Sequence, residues 1–355
     1  MESLNANSQD TVSANRRQET LSIGNWAMGL TRVYLDINFW IFLREARSGS
    51  PRNQDYANLY TTLTALVTQC KAVCPVSEAS FIELLRQDPN TRIETARVMD
   101  DLSTGLTLQW YGERVRTELA HYFRSLLGRP NSLYPLKQCV WTRPAFVLGE
   151  FVPSGTAFEP DVEAKLQCDV HQHLAEMRFE DVVVQMSGAP PLHTDQYLES
   201  FANRLTAGKL QHAMQIRSFR QGLSFEAEGA LDAHTENIRE VLAHVDPKGE
   251  LDLHQCLNKI SELIRAGQIG TSLPFIAIQA GIHACVRWNR DQKFKPHDWM
   301  DFMHAAAGLP YCDYFLTERS LARLVCSRQL EFDRRYRSRV FSDPRKAAEA
   351  LGNLF

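Results

Sequence analysis

Two short segments, far apart in the chain, hold the residues best suited to chemistry. VYLDINFWIFL sets Asp36 directly after the apolar run Val33 to Leu35, and DWMDFMHAAAGLPYCDYFLTER crowds Asp298, Asp301, Asp313 and Glu318 into one stretch. Carboxylates brought together repel one another, and protons or hard cations must neutralise them. Mg²⁺ and Mn²⁺ take oxygen ligands of this kind, together with water and phosphate, and supply a water nucleophile near neutral pH. If the two segments meet, the chemistry to expect is hydrolysis of a phosphodiester.

The elements that must bring them together follow from periodicity. Residues 33 to 36 read as a buried parallel strand. Tyr56, Leu59, Tyr60, Leu63, Leu66 and Val67 recur at helical spacing, and residues 72 to 76 then read as a second short strand. Ser77 can cap a following helix whose buried stripe is Phe81, Leu84 and Leu85, with Pro89 just beyond its end. Strand, helix, strand, helix is the pattern of a parallel α/β unit. Near the other terminus, residues 273 to 288 form an apolar helix. Pro296 suits the first turn of the next one, which places Asp298, Asp301 and His304 on one face. Residues 313 to 317 read as a further buried strand and 320 to 325 as a helix.

Ligands of an open parallel sheet gather at the carboxyl ends of its strands. Asp36 and Asn38 close the first strand, Thr317 and Glu318 close the last, and Glu83 and Asp301 belong to helices on the same edge. One acidic pocket is the expectation. Glu78 reads better as a first-turn partner of its helix dipole than as a ligand. Asp298 reads as a helix cap that shares a face with Asp301, and His304 as a packed residue or one that positions water or phosphate.

These segments resemble the PIN-domain ribonuclease family. Its pattern is an Asp closing the first strand, a Glu in a following helix, an Asp before a small-residue helix and a Thr-Asp after a later strand, matched here by LDINFW, VSEASFIELL, DFMHAAA and CDYFLTE. The resemblance implies a PIN-like, three-layer α/β/α parallel-sheet core split between residues 31–89 and 271–340, with an extensive helical insertion at 90–270 and a tail or helix at 341–355. It also implies that Asp36, Glu83, Asp301 and Glu318 are catalytic metal ligands for Mg²⁺ or Mn²⁺. Asn38, Ser77, Thr317 and His304 are then their supports, and a homodimer is a family habit. Glu318 stands where the family has Asp, with Arg319 one position later. Asp313 and Asp298 are therefore further candidates for the fourth ligand.

Bulk properties narrow the partners. The 355-residue chain carries a net charge of -3, so nucleic acid must be met by a local patch rather than by a basic surface overall. Residues 328 to 346 hold seven basic side chains against three acidic ones. With Lys293, Lys295, Arg319 and Arg323, the residues Arg334, Arg335 and Arg337 are the candidates for holding a phosphate backbone, and Tyr336 or Phe341 for stacking on a base. The stretch 225 to 262, nine acids against three bases, suits solvent or a regulatory protein partner instead.

The eight cysteines form no CxxC pair, and the fragment CDVHQH sets His171 and His173 on different helix faces, so reduced thiols are expected rather than zinc or disulfides. The first 30 residues read as a polar, disordered tail. With no membrane-length apolar run, a cytoplasmic protein is expected. The resemblance thus implies a metal-dependent endoribonuclease of a toxin, RNA-processing or defence type. Its rivals are a PIN fold that has lost catalysis and binds RNA or protein, and, more weakly, a DNA nuclease.

Overall fold

Consecutive apolar residues with no polar alternation require a strand covered on both faces, and Val33, Tyr34 and Leu35 are such a run. In a computed structural model they lie in β1 (Thr31–Leu35), between parallel neighbours on either side. The structure describes residues 16–128, 134–150, 153, 158–186, 195–212, 216–268, 270, 272–289 and 293–355. A helix over residues 16–28 (α1) precedes β1. It is followed by α2 (Ile37–Arg47), α3 (Gln54–Thr68), β2 (Ala72–Val73), α4 (Glu78–Leu85), α5 (Pro89–Ser103), β3 (Thr107–Leu108), α6 (Tyr111–Leu126) and β4 (Trp141–Thr142). Then come α7 (Pro160–Ala175), α8 (Phe179–Gln185), α9 (Asp195–His212), α10 (Phe219–Val245), α11 (Leu253–Arg265) and α12 (Pro274–Trp288). The chain closes with α13 (Asp298–Tyr311), β5 (Tyr314–Leu316), α14 (Arg319–Val325), α15 (Phe332–Tyr336), β6 (Arg339–Phe341) and α16 (Pro344–Gly352).

The sheet runs β2-β1-β5-β6, all parallel, with Leu35 level with Leu316 and Leu316 with Phe341. Beyond β2 the chain at Val76 bridges to Thr107, and β3 pairs antiparallel with β4. Side chains alternate across the sheet because the strand period is two. Val33, Leu35, Tyr314 and Leu316 join one core with Trp40, Leu63, Leu84 and Leu351 from α2, α3, α4 and α16. Tyr34 and Phe315 join the other, with Leu119, Ile278 and Phe302 from α6, α12 and α13. The result is three layers, helix on sheet on helix. Gly308 lets α13 lie directly on the sheet: a β-carbon there would collide with the Phe315 ring and come within 2.9 Å of Tyr34.

The expected parallel α/β unit is therefore present within a mostly helical protein, with one expectation corrected and two details added. Residues 16–28, expected to be part of a disordered tail, are helical and bury Ile23 and Ala27, while residues 1–15 lie outside the described residues. The region 90–270 does not pack apart from the sheet. Cys74 donates to Leu102 and Val76 to Leu106, so the chain after α5 returns to the sheet edge, and α6, α10 and α11 share a core with α12 and α13. At the C terminus, β6 and α16 complete the unit, since Ala347, Ala350 and Leu351 are buried in it. The eight cysteines are unpaired. No described helix is long and apolar enough to cross a membrane.

Polar groups locked into the core tie the insertion to the sheet unit. Glu78 is fully buried and takes two hydrogen bonds from the equally buried Arg114 of α6, at 2.8 and 2.7 Å. Its role is thus an ion pair between elements, a stronger one than the helix-dipole contact expected from its place in the first turn. One turn on, Glu118 accepts from the Tyr311 hydroxyl of α13 and, at 3.1 Å, from the amide of Phe275. It thereby serves the N-terminus of α12, whose own capping residue Leu273 has no side chain to offer. Burial pushes the Glu118 carboxyl up to about 8.

Removing one member of a buried pair strands the other, whereas replacing both does not. Arg114→Ala is expected to destabilise the protein by about 3 to 5 kcal/mol. Glu78→Met with Arg114→Met should recover most of that loss in urea melts. A double variant no more stable than Arg114→Ala would show that the pair is not the link between α4 and α6.

Candidate functional site

β1 leads through α2 and α3 to β2 on one side, whereas β5 leads through α14 to β6 on the other. The connections therefore diverge between β1 and β5, and at such a switch point the strand ends leave a crevice. Asp36 follows β1 there and Thr317 and Glu318 follow β5. Asp36 is buried and caps α2 by accepting from the Phe39 amide at 3.1 Å, while its second oxygen accepts from the Glu318 amide at 2.8 Å. One carboxylate thus pins the two strand ends together across the crevice. Its pKa is raised, by burial above all, against the lowering effects of the His304 charge, the Thr317 hydroxyl and the two amides. The buried Thr317 hydroxyl lies close enough to Asp36 to affect it, yet has no aligned hydrogen-bond partner among the described residues.

The antiparallel run of α13 against β5 returns its first turn to the same edge. Asp301 is pushed up to about 7, first by burial and then by the charges of Glu318, Asp298 and Glu83, with His304 opposing. Glu83, in the second turn of α4, accepts from His304 Nε2 at 2.7 Å. His304 Nδ1 meets the Tyr34 hydroxyl at 2.7 Å, and that hydroxyl meets the Ser77 hydroxyl at 2.6 Å. Ser77 also caps α4 through the Ser80 amide. Burial works to lower the His304 pKa, but its bond to Glu83 and the charges of Glu83, Asp36 and Asp301 together raise it. The edge therefore holds Asp36, Glu83, Asp301 and Glu318 around one buried imidazole, with Asn38 exposed on the first turn of α2.

As hard oxygen donors these four acids suit a divalent cation, and the buried Thr317 hydroxyl beside Asp36 adds a further oxygen. In the side-chain arrangement observed, no three ligating groups among the described residues are close enough to hold a metal. Glu83 is engaged by His304 and Asp36 by two backbone amides. The donor chemistry fits a hard divalent cation.

The remaining candidates separate by edge. Asp298 accepts from the Lys295 amide at 2.8 Å, closing the entry to α13 beside Asp301, and Lys293 and Lys295 are exposed there. Arg319 and Arg323 are exposed on α14, just after Glu318. Asp313, by contrast, precedes β5 and binds the Arg32 side chain at 2.9 to 3.1 Å. That is the opposite edge, some four residues or about 13 Å from the level of Asp36. The grouping of Arg334, Arg335 and Arg337 with the acids fails for the same reason, since all three precede β6. Arg334 pairs with Glu331, Arg335 lies over Phe332 and against Gly270, and the charge of Arg337 acts on Lys137 alongside Arg32 and Asp313. Tyr336 is buried, so its ring is not available to a base, whereas Phe341 is half-buried at the edge of the acids and stacks on Tyr314. His171 pairs with Glu19 at 2.9 Å, which gives it a structural role.

Tyr34 is the site residue the sequence hides. It lies in an apolar strand and reads as core, and only strand alternation, which turns it away from Val33 and Leu35, hints at a different partner. Compared with known protein families, curated proteins and solved structures, the chain shows no match.

Because the folded pKa of Asp301 lies above its ordinary value, its stabilising contribution is complete below about pH 4 and is lost as pH rises through about 7. Asp301→Asn, which cannot ionise, is therefore expected to gain stability over the wild type as pH rises from 5 to 8, by on the order of 2 kcal/mol. Urea melts at the two pH values measure this. A gap that stays constant, or that widens in the other direction, would remove Asp301 from the acidic cluster.

Proposed function

We propose that the protein is a PIN-like, metal-dependent nuclease that hydrolyses RNA phosphodiester bonds. The observation that carries this reading is the convergence of Asp36, Glu83, Asp301 and Glu318, from two distant parts of the chain, on the switch point of the parallel sheet. A buried acid such as Asp301, whose pKa is raised by burial and then by neighbouring carboxylates, is costly to a fold and is characteristic of functional sites. Asp36, Glu83, Asp301 and Glu318 would hold Mg²⁺ or Mn²⁺, which when bound polarises a phosphoryl oxygen and supplies a nucleophile from water. His304 orients Glu83, and Tyr34 and Ser77 orient His304. Lys293, Lys295, Arg319 and Arg323 flank the acids and would hold the phosphates on either side of the scissile bond.

A second reading, a PIN-like module that binds without cleaving, draws on Glu318 in place of Asp and on Arg319 one position later. The two separate on direct measurement. Wild type is expected to bind Mn²⁺ in calorimetry and to cleave single-stranded RNA, with Asp36→Asn and Asp301→Asn each lowering the rate about 100-fold or more. Absence of cleavage of RNA and DNA with either metal would favour the binding module. Cleavage undiminished in both variants would falsify the assignment of the site.

A further inference from the structure

A second site lies outside the acidic crevice, where α1 and α6 meet the turn at residues 134–139. It is an open cavity of about 750 Å³, a size suited to a small-molecule ligand. Its charged lining is mainly cationic: Arg16 and Arg17 from α1 and Arg124 from α6, with His121 and His244 beside them and Glu150 as the acid. Glu150 is taken by Arg16 Nη1 at 2.9 Å. The Nε and Nη2 atoms of Arg16 are buried without a hydrogen-bond partner among the described residues. Arg17 and Arg124 are close enough that the charge of Arg17, after burial, lowers the pKa of Arg124. Like charges facing each other across a cavity, with nitrogens left over, are the complement of an anion.

The wall is built in advance of any ligand. Gly24 brings α1 against the backbone of Gln138, where a β-carbon would collide with the carbonyl, so α1 is seated on the turn that carries Cys139. His121 Nε2 meets the Tyr134 carbonyl at 3.1 Å and holds the turn to α6, leaving the Tyr134 ring 45% exposed at the rim. Guanidinium groups suit phosphate oxygens because their forked N–H donors match two oxygens at once. An exposed aromatic ring beside them suits the flat face of a base.

We propose that this cavity binds a small phosphate ester of nucleotide size, with Arg17, Arg124 and the unused edge of Arg16 on the phosphates and Tyr134 against the ring. The site is independent of the nuclease reading, because it shares no residue with the acidic crevice and takes its ligand without metal. Full-length protein in EDTA is titrated calorimetrically with ATP, inorganic tripolyphosphate and adenosine, with sulfate at matched ionic strength as the control.

ATP is expected to bind saturably and adenosine far more weakly. Arg17→Gln and Arg124→Gln should each weaken ATP about tenfold, while Asp36→Asn leaves it unchanged. Tripolyphosphate equal to ATP would assign the affinity to the phosphates, and tighter ATP would assign part of it to the ring. Thermal melts without ligand distinguish binding from a structural role. Relief of the Arg17–Arg124 repulsion leaves Tm unchanged or raised in Arg124→Gln, with the ATP-induced rise lost. The proposal is overturned if neither ATP nor tripolyphosphate binds better than sulfate, or if the double variant binds ATP as tightly as wild type.

Discussion

The buried ion pair of Glu78 and Arg114 is the contact on which the rest of the arrangement depends. Two ions with no exposure to water are tolerated only while their geometry is good, and here the two terminal guanidinium nitrogens each meet one carboxylate oxygen. Any packing of α6 that moved Arg114 away would leave Glu78 charged in the core. Since Ser77 and Glu83 sit on the same short helix as Glu78, fixing α4 against α6 also fixes the hydrogen-bonded line from Ser77 through Tyr34 and His304 to Glu83. The helical region therefore does more than cover the sheet. It determines where one of the acids stands.

The acidic edge works against stability, and the fold answers with hydrogen bonds to backbone. Asp36 shows both sides: burial raises its pKa, and the amides of Phe39 and Glu318 restrain that rise. The Phe39 amide ties that carboxylate to the start of α2 and the Glu318 amide ties it to the end of β5, so one acid also closes the gap where the strand connections diverge. Asp301 has less relief. Burial, and after it the charges of Glu318, Asp298 and Glu83, push its carboxyl up to about 7.

Much of the sheet unit was legible because its signals are local. The apolar run before Asp36, the Ser77 cap and the spacing of Asp298, Asp301 and His304 each report on a few neighbouring residues, and the elements formed accordingly. The failures share one cause. Arg334, Arg335 and Arg337 are near Glu318 in sequence, but α14 carries the chain back across the sheet before they occur, so proximity along the chain placed them at the wrong edge. Tyr336 looked available for stacking because nothing in its neighbours shows that α15 turns it inward. Residues 16–28 looked like tail because α1 buries only a small apolar face, at Ile23 and Ala27.

By itself the sequence determined the class of the sheet, the strand ends on which acids would fall and the acidic character of the crevice, since periodicity and capping act over one or two turns of chain. Only the tertiary structure decided which acids share that crevice, that Asp313 leaves it to pair with Arg32, and that Tyr34, Arg114 and Glu118 are polar anchors rather than ordinary core or surface. The physical reason is that desolvation and ion pairing depend on what surrounds a group in space. Arg114 meets Glu78 across 36 residues and Tyr34 meets His304 across 270, separations over which no local pattern carries information.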